Sequence, residues 1–146
     1  MRSPVQLFRV LILASVALGL IGGVTDFVFP DLLPKDLNEA WESYTPEGME
    51  WLLSEDADWI SLVIFLVVIL VFLALAIVST IGLFLFKRWG RPVALWITVL
   101  STITYPLFGA TLYSGWALML TQAAMLMWGA ALAMAYFSDL RTRFES

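Results

Sequence analysis

The sequence lacks two residue types that carry much of protein chemistry, because it contains no cysteine and no histidine. Without cysteine the chain has no disulfide and no thiol redox centre. Without either residue it lacks the usual ligands of zinc and haem iron, and histidine-based proton relays are excluded as well. We therefore predict no metal ligand, no cofactor and no catalytic residue of these kinds.

Charge is also scarce, at 14% of residues against 61% hydrophobic residues, and the charges are separated along the chain. Residues 26–58 contain one base, Lys35, and ten of the twelve acids. The other seven bases lie near the beginning, in the middle and near the end of the sequence. Such a separation of acidic and basic residues points to membrane topology more than to a ligand-binding site.

Long apolar runs dominate what remains. The run 59–86 contains 28 residues without a charge, whereas a membrane-spanning helix needs about 20. Runs 4–29, 92–113 and 116–137 have a similar character. The sequence therefore predicts an all-α integral membrane protein with four transmembrane helices in an antiparallel bundle. An acidic exoplasmic loop of about 30 residues (30–58), a link (87–91) and a short solvated tail (138–146) complete the single domain.

Local signals refine these boundaries. Ser3, Pro4 and Gln6 form the pattern of a capping box at the start of the first helix. The second run is longer than a bilayer requires, so it must tilt, project or break near Ser79–Gly82. Pro106 lies inside the third run and predicts a kink over 102–106.

The basic residues predict the orientation. An even number of spans puts the start, the 87–91 link and the tail on one side, and the positive-inside rule makes that side cytoplasmic. Both termini are then cytoplasmic and the acidic loop is outside. We expect a bacterial inner membrane, because the chain is compact and shows no organelle signal or N-glycosylation sequon.

Two stripes of small residues predict close helix packing. In the first span Ser15, Gly19 and Gly22 recur on one face. In the fourth span a heptad-like pattern includes small residues and one tryptophan. Small residues allow membrane helices to approach closely, so we predict a helix-packing seam at the following positions: Ser15, Gly19, Gly22, Ala117, Thr121, Ala124, Ala131 and Ala135.

The polar residues of the third and fourth spans offer a second candidate site. Thr98, Thr102 and Tyr105 share one face of the third span, and Gln122 lies in the fourth. These side chains either line a narrow polar cavity or form interhelical hydrogen bonds. The cavity interpretation predicts an oligomeric channel or a small-molecule transporter, which we keep as an alternative function.

Two further groups are weaker candidates. Glu55, Asp56 and Asp58 are close enough in sequence to bind a cation such as calcium, although an acidic loop outside the membrane needs no ligand. Four methionines in the fourth span suggest copper(I), but thioethers without cysteine or histidine make a weak site. An enzyme acting on a lipid is a second alternative, supported by location alone.

The sequence therefore supplies packing surfaces and little chemistry. We predict a small non-catalytic integral membrane protein that acts as an accessory or adaptor subunit and docks against another membrane protein through its small-residue seams and acidic loop. Its expected partners are membrane lipids and another membrane protein or a second copy of itself, and not nucleic acid.

Overall fold

A computed structural model describes residues 3–29, 59–104 and 113–145, together with the isolated positions 32, 35, 36 and 39. These residues form four long helices and a terminal 3₁₀ helix, without a strand among them, which confirms the all-α prediction. Most of the acidic loop, including Glu55, Asp56 and Asp58, lies outside the described residues. So do Tyr105 and Pro106, and the predictions for them stay predictions.

Helix α1 (Pro4–Val28) begins at the predicted capping box. Oγ of Ser3 accepts the N–H of Gln6 at 3.3 Å, and Oε1 of Gln6 accepts the N–H of Ser3 at 3.2 Å. The helix ends one residue short of the predicted boundary, where Phe29 donates its N–H to the carbonyl of Thr25. Proline follows Phe29 in the sequence, and a helix usually ends before such a position.

Helix α2 (Trp59–Phe84) is the longest, with 26 residues. It runs without a break through Ser79 and Thr80, whose hydroxyls find an acceptor inside the helix by donating to the carbonyl of Ala76, at 2.9 and 2.8 Å. The sequence left three possibilities for this run: tilting, projecting beyond the bilayer or breaking near Ser79–Gly82. The structure shows no break there. A helix of this length spans about 39 Å, so it tilts or projects from a hydrocarbon layer of roughly 30 Å.

A Schellman turn ends α2. The N–H of Lys87 donates to the carbonyl of Gly82 at 2.8 Å, and the N–H of Phe86 donates to that of Leu83 at 3.1 Å. This motif requires a left-handed residue, usually glycine. Here the residue is Phe86, with φ of 56°, a conformation that is strained for a bulky side chain.

Helix α3 (Gly90–Thr104 as described) begins two residues before the predicted start at Pro92. Its first residue lies directly against α2. A Cβ on Gly90 would lie 2.4 Å from the backbone carbon of Gly82, and a Cβ on Gly82 would lie 2.6 Å from the ring of Trp89. The α2–α3 hairpin therefore depends on glycine at both positions.

Helix α4 (Gly115–Phe137) is capped by Ser114, whose Oγ accepts the N–H of Ala117 at 3.2 Å. A 3₁₀ helix follows over Asp139–Phe144. Leu140 and Phe144 are only 4% and 0% exposed, so the end of the chain folds back onto the helices. The expectation of a mostly solvated tail missed this contact, because two apolar residues four apart are a weak signal in so short a segment.

The four helices form two closely packed pairs. Helix α1 packs along α4, and α2 packs against α3, with smaller contacts between α3 and α4 and between α1 and α2. One apolar cluster joins the pairs at the end of the molecule where the chain begins and ends, and its buried members are Phe8, Ile12, Leu83, Ala94, Ala131, Leu132, Ala135, Leu140 and Phe144.

Three helices in the described part of the chain are long and apolar enough to cross a membrane, over Pro4–Asp26, Leu62–Phe84 and Gly115–Phe137. The chain therefore has the character of a membrane protein. Helix α3 is described over 15 residues, fewer than the roughly 20 that a span needs. The predicted third span continues into residues 105–112, which are not described, so four spans remain a prediction.

The first prediction concerns the α2–α3 hairpin. Gly90→Ala should lower the thermal unfolding midpoint in detergent by roughly 5 °C or more, because the added methyl group overlaps the backbone of Gly82 and overpacking costs about 1–3 kcal/mol. Gly129→Ala is the control, since no atom lies within 4 Å of a Cβ there and alanine favours a helix. Equal midpoints for the two variants would contradict the observed crossing.

Candidate functional site

The two predicted stripes of small residues face each other, in α1 and α4. Oγ of Ser15 donates to the carbonyl of Ala124 at 2.9 Å. A Cβ on Gly19 would lie 3.7 Å from the Cβ of Ala124, and one on Gly22 would lie 2.8 Å from Oγ1 of Thr121. We call this α1–α4 contact the packing seam.

The seam runs along the whole length of the helix pair. Ala117, Ala131 and Ala135 are all fully buried, and the last two belong to the apolar cluster around Phe8 and Ile12. Because the two stripes cover each other, their residues are occupied within the chain. The two stripes are therefore not exposed for docking a partner.

Asp26 joins the two helices at the far end of the seam. Its Oδ2 accepts the backbone N–H of Ser114 at 2.9 Å, immediately before α4 begins. An acidic side chain at this position complements the positive end of the α4 dipole. The other oxygen, Oδ1, is buried and has no hydrogen-bond partner among the described residues. Asp26 thus supports the packing of α1 on α4, and its spacing from Gly22 in the sequence places it on the same stripe.

Three of the four residues of the cavity hypothesis are described, and Tyr105 is not. Thr98 donates to Ala94 O and Thr102 donates to Thr98 O, both at 2.8 Å within α3. Gln122 is exposed on α4. Oγ1 of Thr98 instead accepts the indole N–H of Trp128 at 2.8 Å. Of these residues Thr98 therefore connects α3 to α4, and the channel alternative gains no observation that favours it.

The four methionines of α4 differ in their exposure. Met119 and Met125 are exposed, whereas Met127 and Met134 are partly buried. Within the described ranges no group of three histidine, cysteine or acidic residues is placed to hold a metal ion. The cation hypothesis for Glu55, Asp56 and Asp58 and the lipid-enzyme alternative stay untested predictions.

Aromatic rings pack together at the end of the helices opposite Asp26. We call this end the basic end. The ring of Phe86 lies 5.3 Å from that of Phe8 and 5.1 Å from that of Phe144, measured between centroids. Phe8 and Phe144 are 6.1 Å apart in an edge-to-face arrangement. This packing holds Phe86 in its left-handed conformation and fixes the α2–α3 turn against the first helix and the 3₁₀ helix.

Two arginine side chains lie on aromatic rings at the basic end. The guanidinium of Arg9 is 4.9 Å from the centroid of Phe84, and that of Arg91 is 4.9 Å from Phe144. Arg91 also donates to the carbonyl of Ala135 at 3.3 Å, in the last turn of α4. Cation–π contacts of this kind contribute about 0.5–2 kcal/mol each. These arginines therefore stabilise the fold, beyond the topological role that the sequence indicated.

A cavity of about 360 Å³ opens beside the aromatic cluster, and sequence reasoning missed it. Its walls are Leu85 and Phe86 from the end of α2, Lys87 and Arg88 from the turn, and Arg143 from the 3₁₀ helix. Residues more than fifty positions apart thus supply three positive charges to one site. Only the general excess of bases in both segments was visible in the sequence.

The second prediction uses two adjacent glycines in α1 to test the packing seam. Gly22→Ala should destabilise the protein by about 1–3 kcal/mol relative to Gly23→Ala, because only Gly22 contacts the backbone of α4, with Thr121 N at 3.1 Å from a Cβ. Both changes have the same effect on helix propensity, so the difference between their unfolding midpoints in detergent measures packing. A seam elsewhere would leave the two variants alike.

Comparisons with known proteins give no family to which the geometry can be referred. No protein-family model, no curated protein and no solved structure matches the chain.

Proposed function

We propose that the protein is an accessory subunit of the cell membrane, which packs against another membrane protein through the outward face of α2. The proposal rests on a difference in side-chain burial between α2 and the other two long apolar helices. Helices α1 and α4 bury their small residues in each other, whereas the buried side chains among those described for α2 lie near its end, at Ser79 and Leu83.

The inward side of α2 is identified by partial burial. Phe65, Phe72 and Ala76 are half-buried and lie on the same face as Ser79 and Leu83, at the 100° per residue of an α-helix. The opposite face carries aliphatic side chains that repeat at steps of four and three. We call this face the outer stripe, and its exposed members are Val63, Val67, Leu70, Ala74, Ile77 and Ile81.

The outer stripe has the chemistry of a helix-docking surface. A repeat at steps of four and three matches the seam of a left-handed helix pair, and Ala74 is the small residue at its centre, where another helix can approach closely. The stripe contains no polar atom outside the backbone, so it offers shape and dispersion contacts rather than catalysis or ion conduction.

The third prediction tests this surface by cross-linking. The natural chain has no cysteine, so Leu70→Cys provides a single reactive thiol on the outer stripe. A thiol–thiol or thiol–amine reagent applied to native membranes should join it to a different membrane protein. Adding Ala74→Phe should lower the yield roughly tenfold, because a bulky side chain in a close contact costs 1–3 kcal/mol.

Ala133→Phe is the matched control, since Ala133 is exposed on α4 away from the outer stripe, and it should leave the cross-link unchanged. A product that contains only a second copy of the chain would replace the accessory subunit with a homo-oligomer. Equal yields for Ala74→Phe and Ala133→Phe would remove the outer stripe as the docking surface.

The fourth prediction concerns orientation, for which we propose that the basic end and both termini are cytoplasmic. Lys87→Cys should react with an impermeant maleimide only after the cells are opened. Tyr113→Cys is the control, because Tyr113 is exposed and adjoins Ser114 at the Asp26 end. It should react from outside in intact cells. Exterior labelling of Lys87→Cys would reverse the proposed topology.

A further inference from the structure

The cavity at the basic end has a composition unlike the rest of the surface of the helices. Two of its walls are apolar, Leu85 and Phe86, and three are cationic, Lys87, Arg88 and Arg143. Arg141 pairs with Glu145 at 3.0 Å, and neither Lys87 nor Arg88 makes an ion pair with a described acid. The positive charges of Lys87 and Arg88 at the cavity are therefore not neutralised by a described carboxylate.

The fold builds this cavity from two fixed segments. The Schellman turn reverses the chain at Phe86, so that the ring points into the aromatic cluster while Lys87 and Arg88 follow at the surface. On the other side, Leu140 and Phe144 anchor the 3₁₀ helix, which brings Arg143 to the cavity. The cationic groups are thus held at a defined place by buried apolar contacts.

The position of the cavity matches the depth of lipid headgroups. The apolar span of α2 ends at Phe84, and the cavity begins with the next residue, Leu85. A site directly beyond the last apolar turn lies where phosphate groups are found and where acyl chains can follow the exposed side of α2. Its volume of about 360 Å³ is within the range of small-molecule sites.

From this geometry we propose that the cavity binds the phosphate headgroup of an anionic phospholipid. Arg88 supplies a planar guanidinium group that can bind a phosphate through two hydrogen bonds, and Lys87 and Arg143 add positive charge to the walls. Leu85 and Phe86 contact the glycerol and upper acyl region. Basic pockets at the cytoplasmic ends of membrane helices have this preference for anionic lipids.

The fifth prediction tests the proposal with the purified full-length chain in nanodiscs of phosphatidylcholine. Phosphatidylglycerol with matched acyl chains is added, and bound lipid is counted by native mass spectrometry after release. The protein should retain phosphatidylglycerol over phosphatidylcholine, and Arg143→Gln should lower that preference about fivefold. Arg88→Gln should have a similar effect, and because it lies in an exposed turn it provides a second variant if Arg143→Gln folds poorly.

Arg141→Gln is the matched control, because Arg141 lies on the same 3₁₀ helix, pairs with Glu145 and is absent from the cavity wall. It should leave the lipid preference unchanged. If it lowers the preference as much as Arg143→Gln, the attraction is a diffuse surface charge and the proposal fails. The proposal also fails if inorganic phosphate at millimolar concentration displaces the lipid completely, since the site then recognises free phosphate.

Discussion

Close approach of helix backbones is the constraint on which this structure depends. Lipid tails are as apolar as leucine, so helices in a membrane gain little by hiding hydrophobic side chains from the solvent and associate instead through dispersion and hydrogen bonds at short range. In this chain the short-range contacts occur where side chains are smallest, at Gly22 against Thr121 and at Gly82 against Gly90. The hydrogen bond from Ser15 to the Ala124 carbonyl also requires that proximity. Where the residues are large, as along most of α2, the helix keeps its side chains exposed.

The sequence predicted the local and periodic features well, because they are encoded over a few residues. The capping box at Ser3 and the helical character of the apolar runs follow from spacing and composition alone. The stripes of small residues were visible for the same reason, but their partners were not, since pairing Ser15 with Ala124 connects positions 109 residues apart. The Trp128–Thr98 bond and the cavity at Arg143 were hidden for that reason too. Phe86 was missed for another reason: its left-handed turn breaks a local rule that favours glycine, and long-range aromatic packing enforces it.

The bases of this protein have more than one physical role, although all except Lys35 contribute to the same topological signal. Arg9 and Arg91 lie on aromatic rings, and Arg91 donates to a carbonyl in the last turn of α4, where helical carbonyls lack partners within the helix. Lys87 and Arg88 are exposed at the cavity instead. A count of positive residues treats Arg9 and Arg91 in the same way as Lys87 and Arg88. Only the structure distinguishes the bases that stabilise the fold from those available to an anionic ligand.

Helix α4 is complemented at both ends. Asp26 of α1 meets its N-terminal end and Arg91 of α3 meets its C-terminal end, each with the sign that the helix dipole favours. Helix α2 has no acidic residue in its first turn and no basic residue in its last, and its described contacts are mainly with α3. A helix docked on the outer stripe or a headgroup bound at Lys87 would therefore contact the α2–α3 hairpin first. The turn of that hairpin packs on Phe8 and Phe144 through Phe86, so the aromatic cluster is where α1, the turn and the 3₁₀ helix meet.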